Sequence, residues 1–170
     1  SRRLVLVDRR GSGDSDRPAG DYELEFQLGD LDAVIEAEGL EEFDLVGHSM
    51  GGFIAVAYAA RYPDRVRKLA LLAAAPYRIE RSDFGVGVFI THDGEPPAWT
   101  PSVVEAAVAR LIPEPDAAWL RMEMCRTIPE YDDPGQASLT FAAFEGVDLR
   151  PELPAIVAPT LVMHGTADNV

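Results

Sequence analysis

Four short apolar runs set the rhythm of this chain. Leu4-Val5-Leu6-Val7 is continuous and partly β-branched, ends at Asp8 and runs into Arg9-Arg10-Gly11-Ser12-Gly13. An unbroken run of this kind predicts a strand buried in a parallel sheet, followed by a turn-rich loop. From Tyr22 to Ala37 the apolar positions Phe26, Leu31, Val34 and Ile35 recur among acidic residues, which predicts an amphipathic helix stopped at Gly39. Phe43 to Val46 reads as a second strand. A helical pattern runs from about Met50 to Tyr62 and ends at Pro63. Lys68 to Ala73, followed by Pro76, is a third strand, and Thr160 to His164, introduced by Pro159, is a fourth. Strands and helices thus alternate through residue 76, the signature of an α/β fold with a mostly parallel sheet and crossover helices.

Residues 77–155 have a different character. Gly94-Glu95-Pro96-Pro97 and Pro113-Glu114-Pro115 separate short helical patterns. Thr100-Pro101 opens one, with proline at the first helical position. A second spans about Asp116 to Arg126, and a third runs from about Gln136 to Glu145, with Gly146 at its end. The pattern predicts core residues 1–76, a helical insertion over 77–155, and a return to the core over 156–170.

Composition narrows the partners. At 170 residues there is room for one core. With 29 acidic and 15 basic residues the net charge is −14, which repels polyanions and argues against nucleic-acid binding. No apolar run approaches the length of a membrane span, and the run after Ser1-Arg2-Arg3 is too short for the apolar part of a signal peptide. Cys125 is the only cysteine, so an intrachain disulfide and a thiolate metal cluster are both excluded. Set among Trp119, Leu120, Met122 and Met124, it is expected to be a buried structural residue in a chain suited to the cytoplasm.

The chemistry is concentrated in Gly47-His48-Ser49-Met50-Gly51-Gly52, between the second strand and its helix. Gly-x-Ser-x-Gly at a strand-to-helix junction is the context of a nucleophile elbow. A serine hydroxyl is a poor nucleophile until a base takes its proton. The tight turn exposes it, and glycines two before and two after, Gly47 and Gly51, are expected because side chains there would collide. Gly52 is expected to let the helix approach the sheet. The helix start places a positive dipole end where negative charge would build, with the Met50 N–H as an oxyanion donor. Gly11-x-Gly13 lacks the third glycine of a dinucleotide fingerprint, because position 16 is Asp, and is read as a turn.

With these residues in place, the sequence resembles the α/β-hydrolase superfamily, in its serine-nucleophile, capped form. Val5 to Asp16 looks like the family's fourth strand and following loop, and the elbow like the end of its fifth. Arg61-Tyr62-Pro63-Asp64-Arg65-Val66 resembles the link to the sixth strand, and Pro159 to Asp168 the seventh strand with the loop that carries the acid. The insertion falls where the family places its cap, between the sixth and seventh strands. The resemblance implies Ser49 as nucleophile and Asp168 as the acid; Ala73-Ala74-Ala75 offers no carboxylate at the alternative place after the sixth strand. It also implies no cofactor, no metal and a small acyl substrate. Oligomeric state is not implied.

The family order is serine, acid, histidine, and no histidine fits. His48 precedes the nucleophile, His164 ends a strand, and His92 lies in the insertion. The resemblance places the histidine beyond Val170, and the strand carrying a second oxyanion N–H before Ser1. The chain is therefore expected to be an internal fragment of a longer enzyme, poorly stable and nearly inactive alone. Phe84, Val86, Val88, Phe89, Trp99 and Trp119 of the insertion could line an apolar pocket or form the insertion's own core. Ester, lactone or amide hydrolysis is the leading function. A noncatalytic hydrolase-like binding protein and a cofactor-free haloperoxidase or perhydrolase using the same triad are the alternatives. Haloalkane dehalogenases and epoxide hydrolases are disfavoured, because they carry Asp where Ser49 stands.

Overall fold

The structure, a computed structural model, describes residues 3–76, 100–112, 114–131 and 134–166. The chain divides into two units, Ser1–Tyr22 with Phe84–Ala143, and Glu23–Asp83 with Phe144–Val170.

The second unit holds the sheet. Strands β1 (Phe43–His48), β2 (Val66–Leu72) and β3 (Thr160–Met163) are parallel and lie in that order. Helix α1 (Leu24–Ala37) precedes β1, and α2 (Met50–Arg61) is the crossover from β1 to β2. Parallel neighbours require such a crossover, because the chain must return to the edge where it started. The register pairs His48 with Leu72 and Leu72 with Met163, so these three residues form a row at the C-terminal edge of the sheet.

Helix α2 is apolar nearly all round, and every residue from Gly52 to Ala60 is buried, as a helix without a polar face must be. It packs on β1, β2, α1 and a 3₁₀ turn at Arg150–Ala155. Phe53 meets Phe144 edge-on at 5.3 Å. Tyr58 is fully buried between Phe43, at 6.0 Å, and Tyr62, at 4.6 Å, and its phenol donates to Asp32 Oδ1 at 2.9 Å. At the far end of α2, Arg61 donates to Glu25 at 2.6 Å and Glu152 at 3.2 Å. Glu25 is largely exposed, so its pair with Arg61 is worth about 1 kcal/mol or less. Helix α1 closes on Gly39, whose φ of +61° allows the Gly39 and Leu40 amides to reach the Glu36 and Ile35 carbonyls.

In the first unit, α3 (Pro101–Leu111) starts on a Thr100 cap that accepts the Val103 amide. Next come a 3₁₀ turn, Pro115–Ala117, and then α4 (Ala118–Tyr131) and α5 (Pro134–Ala143). Arg121 ties α4 to the end of α3 through the Ile112 and Glu114 carbonyls, at 3.0 and 2.7 Å. The Tyr22 hydroxyl donates to Gln136. Gly11 and Gly13, at φ of +81° and +57°, shape the turn-rich loop, in which the Gly11 amide donates to the Asp16 carbonyl.

Several expectations are corrected. Residues 4–7 form no strand: Leu4 and Leu6 are 77% and 85% exposed, and residues 3–9 join no ladder among the described residues. A strand needs a neighbour for its backbone groups, and apolar content cannot supply one. The buried stripe of α1 is Leu24, Gln27, Leu28 and Ile35, which leaves Phe26 exposed. Position 26 lies two residues from Leu24, roughly 200° round the helix. Cys125 is half-buried, with Trp119 and Met122 exposed on the same helix.

Burial, then the hydrogen bond to Asp32, raises the Tyr58 phenol above its ordinary value of 10.0. The folded chain therefore keeps a proton that the unfolded chain releases. The associated stability is complete below pH 10 and falls as pH rises beyond it. Urea unfolding at pH 8 and above pH 10 should show an alkaline loss that is smaller in Tyr58→Phe. At pH 8 that substitution should itself cost about 1 kcal/mol.

Candidate active site

Strand β1 ends at His48 and α2 begins at Met50, so Ser49 alone makes the turn between them. Its backbone sits at φ +50° and ψ −120°, a region that costs a non-glycine residue about 1–3 kcal/mol. Hydrogen bonds on both sides hold it there. The Ser49 amide donates to the Leu72 carbonyl at 2.9 Å, extending the β1–β2 ladder by one residue. The Ser49 carbonyl accepts from the amides of Gly52, at 2.9 Å, and Phe53, at 3.2 Å. The side chain makes no capping hydrogen bond to the helix, although serine at a helix start commonly does, and the residue is exposed. The turn engages the backbone of Ser49 and leaves its hydroxyl presented.

The amides of Met50 and Gly51 lie ahead of the first donors that reach the Ser49 carbonyl, so neither has an acceptor inside the helix. They sit at the positive end of the α2 dipole, beside the serine. Both precede the first helical hydrogen bond, which the Gly52 amide makes.

Close packing explains two of the three glycines. A Cβ on Gly47 would lie 2.5 Å from both the Gly51 carbonyl oxygen and the Gly52 Cα. A Cβ on Gly52 would overlap the Ala74 methyl group. At Gly51 a Cβ would meet nothing within 4 Å among the described residues, so the collision expected there does not occur with them. The elbow is crowded on the side facing the sheet and open at Gly51.

The other expected residues are placed unevenly. His48 is exposed at the end of β1, and His164 is exposed directly after β3. The row His48, Leu72, Met163 puts the end of β3 at the same C-terminal sheet edge as Ser49, two strands away, or about 10 Å at the usual strand spacing. Asp168 itself, His92, Phe84, Val86, Val88, Phe89 and Trp99 lie outside the described residues. Trp119 is 68% exposed on α4 and forms no core there. Two residues were not anticipated: Ala73, left-handed at φ +46°, and Ala74 beneath Gly52. The run Ala73-Ala74-Ala75 at the end of a strand was the available signal.

The glycine contacts make a direct contrast. Gly47→Ala should destabilise the fold by about 2–3 kcal/mol, because only backbone can yield. Gly51→Ala should be neutral or stabilise by up to about 1 kcal/mol, since alanine favours the helix. Denaturant titrations of the two variants check this; equal losses would overturn the steric reading.

Residues 1–170 match the family model described as the alpha/beta hydrolase fold. The chain is 33% identical over 179 residues to the AB hydrolase superfamily protein YisY of Bacillus subtilis, covering 99% of this chain and 65% of that protein. It is 30% identical over 178 residues to the 2-hydroxy-6-oxo-2,4-heptadienoate hydrolase of Pseudomonas putida, covering 99% and 62%. Among solved structures it resembles an esterase from Exiguobacterium antarcticum, with a TM-score of 0.79 and 29% identity, covering 96% of this chain and 63% of that one. The chain thus spans somewhat under two thirds of the length of these relatives. No described helix is long and apolar enough to cross a membrane. The elbow, the parallel sheet behind it and the match along the whole chain agree: this chain belongs to the α/β-hydrolase fold family.

Proposed function

We propose that the protein is a serine hydrolase that cleaves an ester, lactone or amide of a small molecule through an acyl-enzyme. One observation carries the reading: an exposed Ser49 held in a strained left-handed turn, with its hydroxyl free of helix capping. Strain of this kind persists only where surrounding structure imposes it, and it gathers at working sites. Ser49 Oγ attacks the carbonyl carbon, and the carbonyl oxygen gathers charge beside the Met50 and Gly51 amides. Asp168 orients the histidine base. The family order, serine then acid then histidine, calls for a histidine after Asp168 as the base, an order that His48 and His164 do not fit. The helical segment over 77–155 is read as the family's cap insertion. A cytoplasmic setting belongs to the same proposal.

The esterase likeness supports carbonyl chemistry at this fold. The oxo-dienoate hydrolase likeness keeps the substrate class broad within it. A noncatalytic binding protein would have no use for a strained, uncapped serine, which ranks that alternative second. Perhydrolysis would use the same residues and differs only in the nucleophile that releases the acyl group.

Turnover of a short-chain 4-nitrophenyl ester by the protein tests the reading. Ser49→Ala should lower kcat by more than about 1,000-fold, and Asp168→Asn by roughly 10,000-fold through loss of the histidine tautomer. A fluorophosphonate probe should label Ser49 and no other residue. Undiminished turnover in Ser49→Ala would refute the nucleophile assignment.

A further inference from the structure

We propose that Ala73 and Ala74, at the end of β2, are positioning residues for Ser49, setting the depth and angle at which the elbow sits on the sheet. The inference rests on the reading of Ser49 as the nucleophile and adds what holds it in place.

Three observations converge on residues 72–74. The Leu72 carbonyl accepts the Ser49 amide at 2.9 Å. The next residue, Ala73, is itself left-handed at φ +46°, where an alanine is strained, and its amide donates to the Met163 carbonyl at 2.9 Å. The residue after that, Ala74, places its methyl group where a Cβ of Gly52 would be. Neighbouring strands therefore leave the ladder through left-handed residues, Ser49 beyond β1 and Ala73 beyond β2.

The geometry makes these features one device. Ala73 N–H pins the end of β2 to β3, which fixes the Leu72 carbonyl as an acceptor. That carbonyl fixes the Ser49 amide. The Ala74 methyl then acts as a stop for the first turn of α2, whose Gly52 and Phe53 amides hold the Ser49 carbonyl. The serine is gripped at its amide from the sheet and at its carbonyl from the helix, and the helix seats on Ala74. A larger group on either side of the Gly52–Ala74 contact lifts α2 and turns the Ser49 backbone. Binding of substrate elsewhere is untouched, so the effect falls on kcat.

A double-substitution cycle tests this. Gly52→Ala adds a methyl that collides with Ala74 and comes within 3.2 Å of the Gly47 carbonyl oxygen, and Ala74→Gly removes the closer of these two obstacles. Gly52→Ala alone should lower kcat for the 4-nitrophenyl ester at least tenfold with KM within about twofold. The combined variant should recover kcat to within threefold of Ala74→Gly. The second readout is hydrogen exchange of the Ser49 amide, whose protection should fall at least tenfold in Gly52→Ala and return in the combined variant. Equal kcat losses with and without Ala74, or unchanged Ser49 protection in Gly52→Ala, would overturn the proposal. If the unsubstituted protein shows no Ser49-dependent turnover, the hydrolase reading fails, and the amide exchange alone still decides whether Ala74 holds the elbow.

Discussion

The hydrogen bond from the Ser49 amide to the Leu72 carbonyl carries the β1–β2 ladder one residue past the end of β1 and into the turn. Without it the chain would have no reason to keep a non-glycine residue at φ +50°. With it, the serine is fixed as the last sheet-bonded residue on one side and the first helix acceptor on the other. The change from extended to helical backbone happens within a single residue. That abruptness leaves the side chain nowhere to fold back, and it also brings the α2 amides to the serine.

Helix α2 supplies the rigidity behind this turn. From Gly52 to Ala60 it is buried without interruption, so it cannot rotate or slide without exposing apolar surface. Burying one side chain such as Ile54 or Phe53 contributes about 1.5–3 kcal/mol, the same order as the strain at Ser49. The Phe53–Phe144 contact near the elbow and the Arg61 pairs at the other end tether both ends of the helix. A side chain placed at the start of such an element is held more firmly than one on a loop. The glycines and alanines are the counterpart: Gly47, Gly52 and Ala74 are small where backbone and sheet meet.

Much of this could be read before the fold was known. The 3.6-residue pattern of α1, the apolar helix α2 ended before Pro63, the stop at Gly39, the Thr100-Pro101 helix start and the runs that became β1, β2 and β3 all rest on local rules. Where reading failed, the missing quantity was non-local. Leu4 to Val7 has strand composition and no ladder partner among the described residues. Phe26 falls on the face of α1 opposite the buried stripe, and which face packs against the rest of the fold is set by tertiary contacts. Gly51 looked as constrained as Gly47, since spacing alone cannot say on which side of a turn the sheet lies.

The sequence by itself determined the family, the parallel α/β plan and the serine of Gly47-His48-Ser49-Met50-Gly51, because backbone propensity and a strand-to-helix junction are encoded in neighbouring residues. Tertiary structure decided which amides and carbonyls grip that serine, which glycine the sheet requires, and that Ala73 and Ala74 lie beneath the elbow. Residues 49 and 72–74 are more than twenty positions apart. They meet only because the α2 crossover returns β2 to the side of β1, and no pattern local to either segment records that meeting.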